Sequence, residues 1–142
     1  RSPANERFVD RFLDSEFGQS GVTHYNMEET YLSFLYFKKA VERVVLREGI
    51  GALTPVNIRY HSRGLPLTAD ESPEGDVYLD PYNLNNWLTP RIGQFNATGQ
   101  IDLLWSSEKR MAPMPYLLYP HRGTCMPDGL HLPDGTIVKA AS

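Results

Sequence analysis

"GDVYLDPYNLNNWLTPRIGQF" spans residues 75–95, and its reading decides how the rest of the chain is arranged. Two β-prone runs, "DVYLD" and "RIGQFNA", flank a polar crossing that carries Asn83, Asn85, Asn86 and Trp87. A third run, "QIDLLWSS", follows Ala97-Thr98-Gly99. That tight connection predicts a hairpin between the second and third runs. The Asn96-Ala97-Thr98 sequon matters only in a secreted eukaryotic protein, and is read as a turn before a strand. No catalytic motif occurs in the segment.

Upstream the periodicity changes from two to that of helices. Ser2 and Pro3 open a first helix with Phe8, Val9, Phe12, Leu13 and Phe17 on one face, expected to run until Gly18 and Gly21 stop it. Asn26, with Glu29 three residues on, predicts a capping box and a second helix. Its first half is apolar nearly all round, through Tyr31, Leu32, Leu35, Tyr36, Ala40, Val41 and Val44. Such a helix needs cover on most sides. Thr54 and Pro55 start a short third helix that Gly64 ends.

Residues 65–75, "LPLTADESPEG", read as an acidic, turn-rich loop whose carboxylates are solvated. Beyond Trp105 the chain is studded with Pro113, Pro115, Pro120, Pro127 and Pro133, which predicts an extended tail. Two "PDG" turns fall at 127–129 and 133–135, and "LHLPDGTIV" predicts a small terminal hairpin. The divisions expected are a helical part over 1–64, a strand and crossing segment over 65–107, and a Pro-rich tail over 108–142.

The chain has 142 residues, 41% hydrophobic and 22% charged, which bounds it to a globular chain of at most one ordinary domain. A formal charge of -3 with scattered Lys and Arg gives no footprint for nucleic acid or an anionic membrane. No apolar stretch approaches the roughly 20 residues of a membrane span, so no direct membrane insertion is expected. Arg1-Ser2-Pro3 is no translation start, and upstream residues are expected. His121, Cys125, Asp128 and His131 lack the close pairing of a zinc site, and neither metal nor cofactor is expected. "GTC" around Cys125 is no nucleophile elbow, and no enzymatic constellation is legible. Three helices followed by short strands make a poor independent domain, so partner protein surface is expected.

Four pieces occur in order: "SPANERFVDRF", "NMEETYLSFLYFKKAVE", the crossing with its hairpin, and "MAPMPY". Their sequence resembles the C-terminal part of the type I periplasmic binding proteins, in the branch of amide-sensor and urea- or short-chain-amide-binding receptors. The resemblance is carried by Asn5, Phe8 and Val9; by Met27, Glu28 and Tyr31; by Gly75, Val77, Leu79, Asp80 and Asn83; by Pro90, Arg91, Ile92 and Gly93; and by Gly99, Ile101, Leu103, Trp105 and Ser106. It covers roughly residues 2–116. The family's His after the Asn is replaced here by Asn85-Asn86-Trp87, residues 50–74 are longer than usual, and the tail from His121 has no counterpart.

The resemblance implies an α/β fold, an incomplete C-terminal part of a two-lobed receptor whose ligand is held between the lobes. It implies a non-catalytic, extracytoplasmic binder of a small amide, urea or amino-acid-like ligand, acting by lobe closure. Partners would be the remainder of the receptor or other protein subunits. Tyr25, Met27, Glu28 and Tyr31, at the start of the second helix, would reach the ligand, Glu28 as an acceptor from amide or ammonium N–H. Glu28 equally suits the helix N-terminus electrostatically. Asp80, Asn83, Pro90 and Arg91 would shape the hinge, the first two through Asx turns and Arg91 by holding a carboxylate or backbone carbonyls. Trp87 and Trp105 read as core or interface anchors. A second reading is a receptor-derived structural subunit of a larger assembly, with the tail wrapping a neighbour.

Overall fold

Ser2 and Thr54 turn the chain into helices in the same way. Each hydroxyl accepts a backbone N–H three residues on, from Asn5 and Asn57, both at 3.2 Å. Each is followed by a proline, whose missing N–H costs nothing at a first helical position. The computed structural model describes residues 2–18, 21 and 23–113, and short strands at 124–126, 129–131 and 137–138. Three α-helices lie in the described part: α1 (Pro3–Leu13), α2 (Tyr25–Glu48) and α3 (Pro55–Ser62), with a 3-10 turn at Ile50–Ala52.

Two helix boundaries differ from the expected ones. α1 ends at Leu13, four residues short of Phe17, which is 72% exposed. The Ser15 hydroxyl and backbone N–H both donate to Phe12 O, at 2.6 and 3.0 Å, and this closes the last turn before the glycines. α2 begins at Tyr25 after an extended His24, without a side-chain cap. The expected Asn26 capping box is absent because Met27 and Glu28 already donate to His24 O, which puts Asn26 inside the first turn.

Leu32, Tyr36, Ala40 and Val44 recur every four residues along α2 and are all buried. The first three meet Leu65, Leu67 and Val77 to form the core. Leu67 and Val77 come from a small antiparallel sheet in the order β1 (Pro66–Leu67), β2 (Val77–Leu79), β3 (Asn86–Trp87), and Leu65 directly precedes β1. The register sets Leu67 against Val77 and Tyr78 against Trp87. Burying each such aliphatic side chain stabilises the fold by roughly 1.5–3 kcal/mol. β1 falls in the stretch expected to be a solvated acidic loop, and its apolar residues explain the difference: Leu65 and Leu67 are drawn under α2.

α3 folds back on α2 through polar ties. His61, buried at the end of α3, sits 2.6 Å from Glu48 Oε1. Asn57 Nδ2 donates to Ala52 O at 2.9 Å, and Arg43 donates to His61 O at 3.3 Å. Gly64 then turns the chain toward β1 with φ +67, a conformation that favours glycine.

β4 (Arg91–Phe95) and β5 (Ile101–Ser106) form the predicted hairpin, with a register shift between Ile92 and Gly93. Asn96 organises its turn, its Oδ1 accepting from the N–H groups of Thr98 and Gln100 at 3.0 Å each. Both faces carry exposed apolar side chains: Ile92, Phe95, Ile101, Leu103, Leu104 and Trp105. In the tail, β6 (Thr124–Met126), β7 (Gly129–His131) and β8 (Ile137–Val138) pair antiparallel. The predicted terminal hairpin is β7–β8, joined by one strand more than expected. His121 and Asp128 lie outside the described residues.

Candidate functional site

The start of α1, the turn at residues 72–75 and the first residue of β4 line one cavity. Ser72 and Pro73 are buried there. Ser72 Oγ accepts the Glu74 backbone N–H at 3.2 Å, which fixes the turn. Glu74 Oε1 receives Arg91 Nη1 at 2.7 Å, and Arg91 Nη2 reaches the Glu74 carbonyl at 3.1 Å. The guanidinium thus holds both a carboxylate and a backbone carbonyl. Geometry of this forked kind is what Arg supplies and Lys does not.

Glu28 carries a perturbed carboxyl. It is partly buried in the first turn of α2. Burial and then the Glu74 charge push its pKa up to about 7, against the opposing pull of Arg91. A carboxyl whose pKa is raised keeps its proton closer to neutrality than an ordinary one, and in that form can donate as well as accept a hydrogen bond. The Glu74–Arg91 pair lines a cavity of about 340 Å³ together with Ser2, Asn5, Pro73 and Gly75. Its walls offer hydroxyl, amide, carboxylate and guanidinium groups.

The other residues expected at the site do not converge. Tyr25 is exposed, edge-on to the His24 ring at 6.4 Å. Tyr31 packs on Phe8 of α1, with ring centroids 5.2 Å apart, and its hydroxyl accepts from Arg11 at 3.4 Å. Met27 is partly buried beside Glu28 in sequence. Glu74 was legible only as a member of an acidic loop. Its spacing carries no signal for a pairing across 17 residues with Arg91.

The acidic stretch is tied down elsewhere too. Glu71 bonds Lys39 Nζ at 2.8 Å and the Thr68 N–H at 3.0 Å, and Lys39 first, then Thr68, pulls its pKa down. Asp76 accepts the Ala69 N–H at 2.7 Å. At the crossing, Asp80 Oδ1 accepts from the N–H groups of Tyr82 and Asn83 at 2.9 and 3.1 Å, and Asn83 Oδ1 accepts from that of Asn85 at 2.8 Å. These are the expected Asx turns. Leu84 follows at φ 58, unusual for a residue with a side chain. Trp87 is partly buried with its ring on Tyr78, whereas Trp105 is 49% exposed. Among the described residues no three His, Cys, Asp or Glu side chains gather as a metal would require.

A family model described as a periplasmic binding protein domain matches residues 1–122. The chain belongs to the periplasmic binding protein family. Comparison with curated proteins finds no match. The mixed helices and small sheets are compatible with part of such a binding-protein fold. Membership implies a solute-binding role, generally without catalysis, and suggests an extracytoplasmic location. No described helix of this binding-protein domain is long and apolar enough to cross a membrane.

Proposed function

We propose that the chain is the C-terminal portion of a solute receptor for a small amide, urea or amino-acid-like ligand. The observation that carries this reading is the Glu74–Arg91 pair in the wall of a polar cavity. A urea or amide presents N–H donors and one carbonyl acceptor. The cavity's carboxylate, amide, hydroxyl and guanidinium groups complement both.

The first lobe is a separate part of the receptor in this proposal, and closure of the two lobes excludes water from the ligand. The β4–β5 hairpin supports it. A ribbon with apolar side chains on both faces fits between two covering layers. Asp80, Asn83, Pro90 and Arg91 then form the rigid crossing at its base. In this scheme residues 1–64 are the helical part of the C-terminal lobe, 65–107 the crossing, and 108–142 an extension.

A second reading is favoured by one observation, the uncovered apolar side of α2. Phe34, Phe37 and Val45 are exposed there. A face of this kind suits a structural subunit of a larger assembly.

The test is the intact mass of the native polypeptide, followed by NMR titration with urea, acetamide and an amino acid. A polypeptide of two-lobe size, with saturable shifts at Glu28, Glu74 and Arg91, is the expected result. A native chain near 16.1 kDa, held in stoichiometric partners and showing no shifts at those residues, selects the subunit reading.

A further inference from the structure

Arg7 and Arg11 lie one turn apart on α1 and line a second cavity, of about 270 Å³, together with residues of α2, β1 and the loop after β1. It shares no lining residue with the Glu74–Arg91 cavity. From α2, Tyr31, Leu35 and Lys38 reach it at a spacing that sets them on one helix face. Tyr31 also packs on Phe8 of α1, so the two helices are in contact beside the cavity.

Four side chains of the lining are cationic, Arg7, Arg11, Lys38 and Lys39, and two are carboxylates, Asp70 and Glu71. Glu71 is tied to Lys39 at 2.8 Å. Lys38 pairs with Glu42 at 2.9 Å, and both are more than half exposed, so water screens that pair. Arg7 and Arg11 have no carboxylate partner among the described residues. Arg7 Nη2 donates to the backbone carbonyl of Asp70, and Arg11 Nη1 donates to the Tyr31 hydroxyl at 3.4 Å. Both acceptors are uncharged. They hold the two guanidiniums in place without neutralising them. A guanidinium has five N–H donors in a fork that matches an oxyanion, so donors remain on each. The Tyr31 hydroxyl accepts from Arg11 and keeps its own proton to donate.

We propose that this cavity binds a small organic carboxylate, held by Arg7, Arg11 and the Tyr31 hydroxyl, with its short hydrocarbon part toward Ala4, Leu35 and Leu67. Those three supply the apolar part of the lining. A carboxylate with a few carbons suits a wall that is charged on one part and apolar on another, whereas phosphate presents oxygen on every side. The volume lies below the roughly 300–1,000 Å³ of pockets for drug-sized ligands, which limits the occupant to a few carbons. Asp70 opposes the anion, and no cation among the described residues is within ion-pair distance of its carboxylate. The site stands whether or not the Glu74–Arg91 cavity takes a solute.

The experiment is an NMR titration of the whole chain at neutral pH and low salt with butyrate, acetate, inorganic phosphate and urea. Butyrate should give saturable shifts at Arg7, Arg11 and Tyr31, and should bind more tightly than acetate or phosphate. Urea carries no charge and should leave these three residues unshifted. Arg7→Gln and Arg11→Gln each remove a charge-assisted bond and should weaken butyrate binding about tenfold or more. Asp70→Asn removes the opposing charge and should tighten it. The absence of saturable shifts with butyrate overturns the proposal. So does butyrate affinity that stays the same in both arginine variants, phosphate that binds as tightly as butyrate, or urea that shifts the same residues. Arg7 and Arg11 are exposed. If Arg7→Gln nevertheless does not fold, Arg11→Gln and Asp70→Asn carry the decision.

Discussion

Trp87 donates its indole N–H to Asp80 Oδ2 at 2.9 Å, across the turn that joins β2 to β3. The other oxygen of Asp80 accepts the Tyr82 and Asn83 N–H groups. One carboxylate thereby fixes the turn and the ring that packs edge-on to Tyr78, with centroids 6.1 Å apart. The Trp87 N–H, more than the two backbone donors, holds the Asp80 pKa below 3.8.

A depressed carboxyl pKa contributes stability that is present above the unfolded value and lost as pH falls through the folded one. Asp80→Asn should therefore lower stability at neutral pH and flatten the acid limb below the ordinary 3.8. Urea midpoints measured against pH check this. An acid limb identical in variant and wild type would falsify the assignment.

Glu48 holds the end of α3 against α2 through the buried His61. Glu48→Ala leaves the imidazole Nε2 without this partner. An unsatisfied buried group of this kind costs about 1–3 kcal/mol. Chemical denaturation should show that loss, and backbone amides of α3 should exchange faster than those of α2. Equal exchange in both helices would mean that the tie is dispensable.

Leu67 is 1% exposed, at the contact of β1, β2 and α2. Leu67→Ala should cost about 2–5 kcal/mol through lost burial and the cavity left behind. A cost near zero, read from a denaturant midpoint, would show that β1 is not part of the core.

Gly93 lies at the register shift of the hairpin. A Cβ built there overlaps Ile101 Cγ2 and falls 3.2 Å from the Asp102 carbonyl. Gly93→Ala should displace Ile101 and weaken the β4–β5 pairing, at roughly 1–3 kcal/mol. Loss of the cross-strand NOE between Gly93 and Leu103, with the β1–β3 sheet intact, is the expected signature. An unchanged NOE pattern argues for a roomier hairpin.

The local signals in the chain were strong where one residue decides one turn. Ser2-Pro3, Thr54-Pro55, Asp80, Asn83 and Ala97-Thr98-Gly99 each act on a backbone group two or three residues away, and each does so as expected. Arg91 was also legible as a holder of a carboxylate or carbonyls, because a guanidinium beside a turn seeks acceptors. The failures lie where local signals compete. Asn26 has the chemistry of a cap, but His24 O captured the first helical N–H groups. Phe17 continued the apolar period, but Ser15 closed the turn first.

The sequence by itself determined the helices, the hairpin and the family pattern, because periodicity and turn chemistry act over a few residues. Only the tertiary structure decided which carboxylates are tied and which are free. Glu71, Glu74 and Asp76 look alike in an acidic stretch, yet Lys39 is 32 residues from Glu71 and Arg91 is 17 from Glu74. Burial, and after it the charge of Glu74, raises the pKa of Glu28, a shift that helix position alone does not predict.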